Sequence, residues 1–214
     1  MPGFDAILFD NDGVLVDTEG LYFKATREVL AEAGVVLDEA MYVELFLRQG
    51  TGAWHLLAAR GDPPDVVEAL RGARDRRYLE LLERTDVLIS GVAAILPALA
   101  RRYRLAIVTS SEPEPFARVH ARTGLLRHFE FALTRVDYTH AKPQPEPYLR
   151  AVERMGVAPE RCLVIEDSER GLRAAKAAGL TCWVIPSTLT GGVAFENADA
   201  VFDTLAAVAD RLLA

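Results

Sequence analysis

Five short apolar runs limit what this chain can fold into: 6–9, 105–108, 131–133, 163–165 and 182–185, with a weaker sixth at 200–202. A strand with one wet face alternates apolar and polar residues. Runs without that alternation belong to strands covered on both faces, as in a parallel sheet. The segments between them carry helical spacing. Val92, Ile95, Leu96 and Leu99 mark 92–102; 114–123 stops at Gly124, 147–155 stops at Gly156, 168–178 opens on Ser168 and stops at Gly179, and 204–213 follows the last run. This alternation predicts an α/β fold, a doubly wound parallel sheet with a Rossmann-like core.

One connection breaks the rhythm. Residues 17–86 read almost entirely as helix, with apolar stripes at Leu21, Ala25, Val29 and Leu30; at Met41, Leu45 and Phe46; at Trp54, Leu57 and Ala58; and at Val66, Leu70, Tyr78, Leu81 and Leu82. A packed helical segment of this size is a small domain rather than a loop. The expected organisation is a core of 1–16 and 87–214 with an all-helical cap domain, 17–86, inserted in it.

Half of the 214 residues are hydrophobic and the net charge is −7. Disorder is excluded by the first number, and a field that gathers nucleic acid by the second. The basic cluster Arg71, Arg74, Arg76 and Arg77 is broken by Asp75 and reads as a solvated helix face. No apolar run is long enough to span a bilayer, and Met1-Pro2-Gly3-Phe4-Asp5 does not read as a secretory leader, so no membrane partner is expected. Cys162 and Cys182 lie in strand-like runs and are expected buried and reduced rather than bridged, which points to the cytoplasm. Among 24 basic residues only Lys24, Lys142 and Lys176 are lysines, so Lys142 in a distinctive loop hints that a compact ammonium is wanted there.

In an open parallel sheet ligands bind beyond the carboxyl ends of the strands. The first run is followed by Asp10-Asn11-Asp12-Gly13, the second by Thr109-Ser110-Ser111, the third after a few residues by His140-Ala141-Lys142-Pro143, and the fourth by Glu166-Asp167-Ser168. Each alone is weak evidence, since acids after strands often cap helices and loop lysines are usually solvated. Topology nevertheless forces the four together. Carboxylates gathered at one edge repel unless a cation sits among them, and hard oxygens suit Mg²⁺. A cation beside a Thr hydroxyl and a Lys suits a phosphoryl group. Asp10 can then act as nucleophile, and Asp12 can protonate the leaving oxygen and activate water if the chain turns at Gly13.

The segment from Phe9 to Glu19 resembles the first motif of the haloacid dehalogenase-like hydrolase superfamily, in the branch of beta-phosphoglucomutase and its phosphatase relatives. Ile107-Val108-Thr109-Ser110 is similar to the second motif. Lys142-Pro143 with Pro147-Tyr148-Leu149 is similar to the third, and Val164-Ile165-Glu166-Asp167-Ser168 with Gly171 to the fourth. The resemblance implies a nucleophile at Asp10, an acid/base at Asp12, phosphoryl contacts from Thr109, Ser110 and Lys142, and Mg²⁺ held by Asp10, the Asp12 carbonyl and Asp167 with help from Glu166. It implies a phosphatase acting on a small-molecule phosphate ester. Dehalogenases of the superfamily lack the second Asp, and its phosphonate hydrolases use a cap Lys motif that Lys24 does not match. Its sugar phosphomutases carry a His on the first cap helix where Tyr22 stands here, so hydrolysis is expected rather than a mutase reaction or a non-catalytic binding role. The cap candidates for substrate selection are Tyr22, Arg48, Gln49, Thr51 and Trp54, with packing of the cap core as the plain alternative for Trp54.

Overall fold

The structure is a computed structural model that describes residues 3–187, 189 and 194–214. Its frame is a six-stranded sheet of β1 (Ala6–Phe9), β2 (Arg104–Val108), β3 (Phe131–Leu133), β4 (Cys162–Glu166), β5 (Thr181–Val184) and β6 (Ala200–Val201). The strand order is β3-β2-β1-β4-β5-β6 and all neighbouring pairs are parallel. This is the Rossmann-like order, and its direction reverses between β1 and β4, where a crevice opens beyond the strand ends.

The apolar runs become strands because both sides of the sheet are covered. Ala6, Leu8, Ala106, Val108, Cys162, Val164, Cys182 and Val184 fall in one core cluster with residues of α7 (Glu146–Met155) and α8 (Glu169–Ala177). The intervening Ile7, Phe9, Leu105, Ile107, Leu163 and Ile165 are equally buried, and strand period 2 puts them on the opposite face. Helices α5 (Val92–Ala100), α6 (Pro113–Thr123) and α9 (Leu205–Leu213) complete this unit. Gly124 and Gly156 cap α6 and α7 in the left-handed region, as helix-stopping glycines do. Cys162 and Cys182 are buried free thiols on adjacent strands.

The chain divides into two compact units, Met1–Asp17 with Val87–Ala214, and Thr18–Asp86. The second contains α1 (Glu19–Glu32), a short α2 (Glu39–Tyr42) running into a π-helical segment (Val43–Arg48), α3 (Trp54–Arg60) and α4 (Pro64–Arg84). Several expectations fail within it. Tyr42 rather than Met41 is fully buried, stacked on Phe46 at 4.6 Å, and a π-helical segment follows it. Arg74 is buried with Tyr78 and Leu82 on α4, not solvated, whereas Val66 is exposed. The Arg74 guanidinium lies 4.5 Å from the Tyr22 ring centroid and 5.3 Å from that of Trp54, donates to the Tyr22 hydroxyl, and bonds the Asp75 carboxylate at 2.7 Å. Those contacts replace its water.

Among the described residues no helix is long and apolar enough to cross a membrane. The central strand sets the stability of the sheet. Leu8→Ala, at a position with no exposure, is expected to cost ~2–5 kcal/mol, read as a fall in the urea midpoint of the sheet-bearing unit.

Candidate active site

The site grows from the end of β1. Asp10 is the first residue past the strand, and its N–H bonds the carbonyl of Ile165 on β4 at 2.8 Å, which holds it at the reversal point of the sheet. Lys142 Nζ, 4% exposed by residue, donates to Asp10 Oδ1 at 2.6 Å, to Glu166 Oε1 at 2.6 Å and to the Val108 carbonyl at 2.9 Å. An ammonium has three N–H groups, and all three are matched. Tyr148 of α7 donates to the same Glu166 oxygen at 2.6 Å. The other Glu166 oxygen accepts from the Asp167 and Ser168 N–H groups and from the Ser168 hydroxyl.

Glu166 sits so tightly because Gly171 leaves room for it. A Cβ at Gly171 would stand 1.9 Å from the Glu166 carboxyl. Gly13 does the same for Asp167, since a Cβ there would lie 2.2 Å from Asp167 Oδ2. With φ +81°, Gly13 also makes the turn that brings Asp12 round, and the N–H groups of Leu15 and Val16 lock that turn on the Asn11 carbonyl at 2.8 and 3.1 Å.

Asp12 stands in different company. Its Oδ2 accepts from Ser111 Oγ at 2.7 Å, and from Thr109 Oγ and Asn11 Nδ2 at 3.3 Å each. The structure thus brings Asp10, Asp12, Thr109, Lys142, Glu166 and Asp167 to one edge, while Ser110 is exposed and the hydroxyl on Asp12 belongs to Ser111. Sequence reasoning gave no role to Ser111, Tyr148, Asn11 or His120. For His120 the available signal is its place beside Phe116 and Val119 on the buried face of α6.

The residues fit a hard divalent cation. Ligand oxygens of Asp10, Glu166 and Asp167 lie within 4.8 Å of one another. Four carboxylates, counting Asp12, face a single ammonium. Burial pushes the Asp10 carboxyl up to about 8 against the pull of Lys142, with Glu166 and Asp12 adding repulsion. Burial opposes the Lys142 ammonium too, but Asp10 and Glu166 outweigh it and hold its pKa above the ordinary lysine value. A bound cation would offset the repulsion among the carboxylates.

In the helical unit the cap candidates separate into two groups. Tyr22 and Trp54 belong to an aromatic cluster around Arg74, in which Tyr22 meets Tyr78 edge-on at 5.2 Å and Tyr42 stacks on Phe46 at 4.6 Å. Arg48 and Gln49 are exposed and reach Glu44, at 3.4 and 2.8 Å, and Thr51 Oγ bonds the Leu45 carbonyl at 3.4 Å.

Known proteins resemble this chain along most of its length. A family model described as haloacid dehalogenase-like hydrolase matches residues 4–179. Protein CbbY of Cereibacter sphaeroides is 35% identical over 213 residues, covering 94% of this chain and 93% of that one. The phosphorylated carbohydrates phosphatase of Thermotoga maritima is 30% identical over 202 residues, covering 92% of each. A solved structure of a mutant CbbY from Rhodobacter sphaeroides, in complex with xylulose-(1,5)bisphosphate, matches with a TM-score of 0.82 at 30% identity over 95% of both chains.

The Gly171 cradle gives a test in which two effects oppose. Gly→Ala within a helix ordinarily gains ~1 kcal/mol. Here the added Cβ meets a carboxylate fixed by five donors, so Gly171→Ala is expected to lose ~1–3 kcal/mol by overpacking. Urea denaturation reads the sign, and a stabilised variant would mean that Glu166 moves freely.

Proposed function

The chain belongs to the haloacid dehalogenase-like hydrolase family and is a phosphoric monoester hydrolase, and on that premise we propose that it cleaves a small phosphorylated sugar or related metabolite, with Mg²⁺, through an aspartyl-phosphate on Asp10. One observation carries the reading: a nucleophile candidate, an acid/base candidate and a buried ammonium converge from separate loops at the reversal point of the sheet.

The residues divide the work as follows. Asp10 attacks phosphorus while Asp12 delivers a proton to the departing oxygen. The charge of Asp10 is then lost to the new P–O bond, and the Lys142 N–H that faced it turns to a phosphoryl oxygen. Thr109 and Ser110 help hold that group at the end of β2. Asp12, now a carboxylate, takes a proton from water, which attacks phosphorus, releases phosphate and restores Asp10. Asp10 and Asp167, with the Asp12 backbone carbonyl, would hold the Mg²⁺. Glu166 has both oxygens engaged by protein donors, so it anchors Lys142 and adds charge beside the ion. When bound, Mg²⁺ supplies charge neutralisation at the phosphoryl oxygens.

The substrate class follows from relatives named for phosphorylated carbohydrates or seen with a sugar bisphosphate. Tyr22, Arg48, Gln49, Thr51 and Trp54 of the helical unit would set selectivity. The Tyr22 hydroxyl is bound by Arg74 and presents no imidazole where the mutases carry one, which supports water as the acceptor. Two buried free thiols suit a reducing compartment, the cytoplasm.

A panel of sugar phosphates assayed for released phosphate tests the proposal. Turnover is expected with Mg²⁺ and absent with a chelator. Asp10→Asn is expected to fall to background, and an acid-quenched wild-type reaction to carry phosphate on the peptide containing Asp10. Full turnover by Asp10→Asn would remove Asp10 as nucleophile.

A further inference from the structure

His120 is 3% exposed, on a helix face otherwise taken by Phe116 and Val119. Core packing alone would put a leucine there. Its Nε2 lies 2.8 Å from Asn11 Oδ1 and its Nδ1 lies 3.0 Å from Thr123 Oγ. Asn11 is itself 1% exposed, and its Nδ2 faces Asp12 Oδ2 at 3.3 Å.

The polarity of this chain is fixed from the Asp12 end. A carboxylate oxygen accepts only from the amide nitrogen, so Asn11 must turn Nδ2 to Asp12 and Oδ1 to His120. Asn11 Oδ1 then needs a donor, which puts the imidazole proton on Nε2. Nδ1 accepts from the Thr123 hydroxyl, whose oxygen accepts the Leu125 N–H at 3.3 Å. Burial pushes His120 down to about 4, against the pull of Asp12, so the ring stays neutral with one donor and one acceptor at neutral pH.

We propose that His120 is a positioning residue for the acid/base: by holding Asn11 it keeps the Asn11 amide on Asp12 Oδ2, beside the Ser111 hydroxyl, and so fixes the orientation of the Asp12 carboxyl. Without His120 the Asn11 amide loses the donor to its Oδ1 and is free to turn, and the Asp12 carboxyl loses a directed contact.

The inference rests on Asp12 acting as general acid, and its test uses leaving groups that need an acid to different degrees. para-Nitrophenolate departs without a proton, whereas an alkoxide requires one. We compare kcat/KM for para-nitrophenyl phosphate and for an alkyl phosphate that the wild type hydrolyses. His120→Phe keeps a ring but no donor, and is expected to lose about tenfold on the alkyl ester and less than about twofold on the aryl ester. His120→Gln returns an N–H at similar reach and is expected to recover the alkyl ester to within about threefold. Thermal melts check folding, and Thr123→Val, which removes the Nδ1 partner, is expected to give the same selectivity if His120→Phe does not fold. Equal loss on both esters, no loss, or no recovery in a folded His120→Gln overturns the proposal. Asp12→Asn separates the two levels. If it affects both esters alike, the general-acid assignment itself fails. If it is selective for the alkyl ester while His120→Phe is not, only the role of His120 fails.

Discussion

The site depends on one ammonium. Lys142 stands between Asp10, past β1, and Glu166, at the end of β4, and its third N–H meets the last carbonyl of β2. It therefore ties three strand ends with three directed bonds. An arginine would bring five donors in a flat fork, and this pocket offers three acceptors around a point. That is a physical reason for a lysine here in a chain that otherwise strongly prefers arginine. A buried ion pair of this kind adds little net stability compared with apolar packing. What it supplies is a fixed position for Asp10, the proposed nucleophile, at a place where neighbouring carboxylates would otherwise push one another apart.

Much of this was legible in the sequence because the same burial that makes a parallel strand also writes an unbroken apolar run. The run at 6–9 is β1 residue for residue, and Gly124 and Gly156 stop their helices as glycines with left-handed backbones do. The loops after the strands then had to meet, since topology brings strand ends together whatever the loops contain. Contacts that depend on distant pairs left no such trace. Glu166 and Tyr148 meet from different elements, and His120 and Asn11 are 109 positions apart. Nothing local tells that one histidine of four will face an amide. Ser111 rather than Ser110 touches Asp12 because of the turn after β2, and a one-residue choice within a loop has no period to reveal it.

Within the helical unit the sequence misplaced Arg74 for a related reason. Periodicity sorts residues by polarity, so it sends an arginine outward. Arg74 goes inward because two aromatic faces, a phenol oxygen and a neighbouring carboxylate receive it. Its burial organises Tyr22 and Trp54 into one cluster, while Arg48 and Gln49 stay on the surface with Glu44. Residues that looked equivalent as selectivity candidates thus differ in rigidity. The aromatic pair is fixed by packing, and the loop side chains are held by exposed contacts worth little.

Asp10 and Asp12 show how two identical side chains, two positions apart, come to suit different tasks. Asp10 is buried against an ammonium, and without a divalent ion burial still pushes its carboxyl up to about 8. In the proposed reaction, positive charge from a bound cation would favour its carboxylate form. Asp12 meets two hydroxyls and one amide, all neutral. Those donors orient the carboxyl, as the acid/base role proposed for it requires. Asp10 is held at the strand end by the Ile165 carbonyl, whereas Asp12 lies inside the turn that the Leu15 and Val16 N–H groups close on the Asn11 carbonyl.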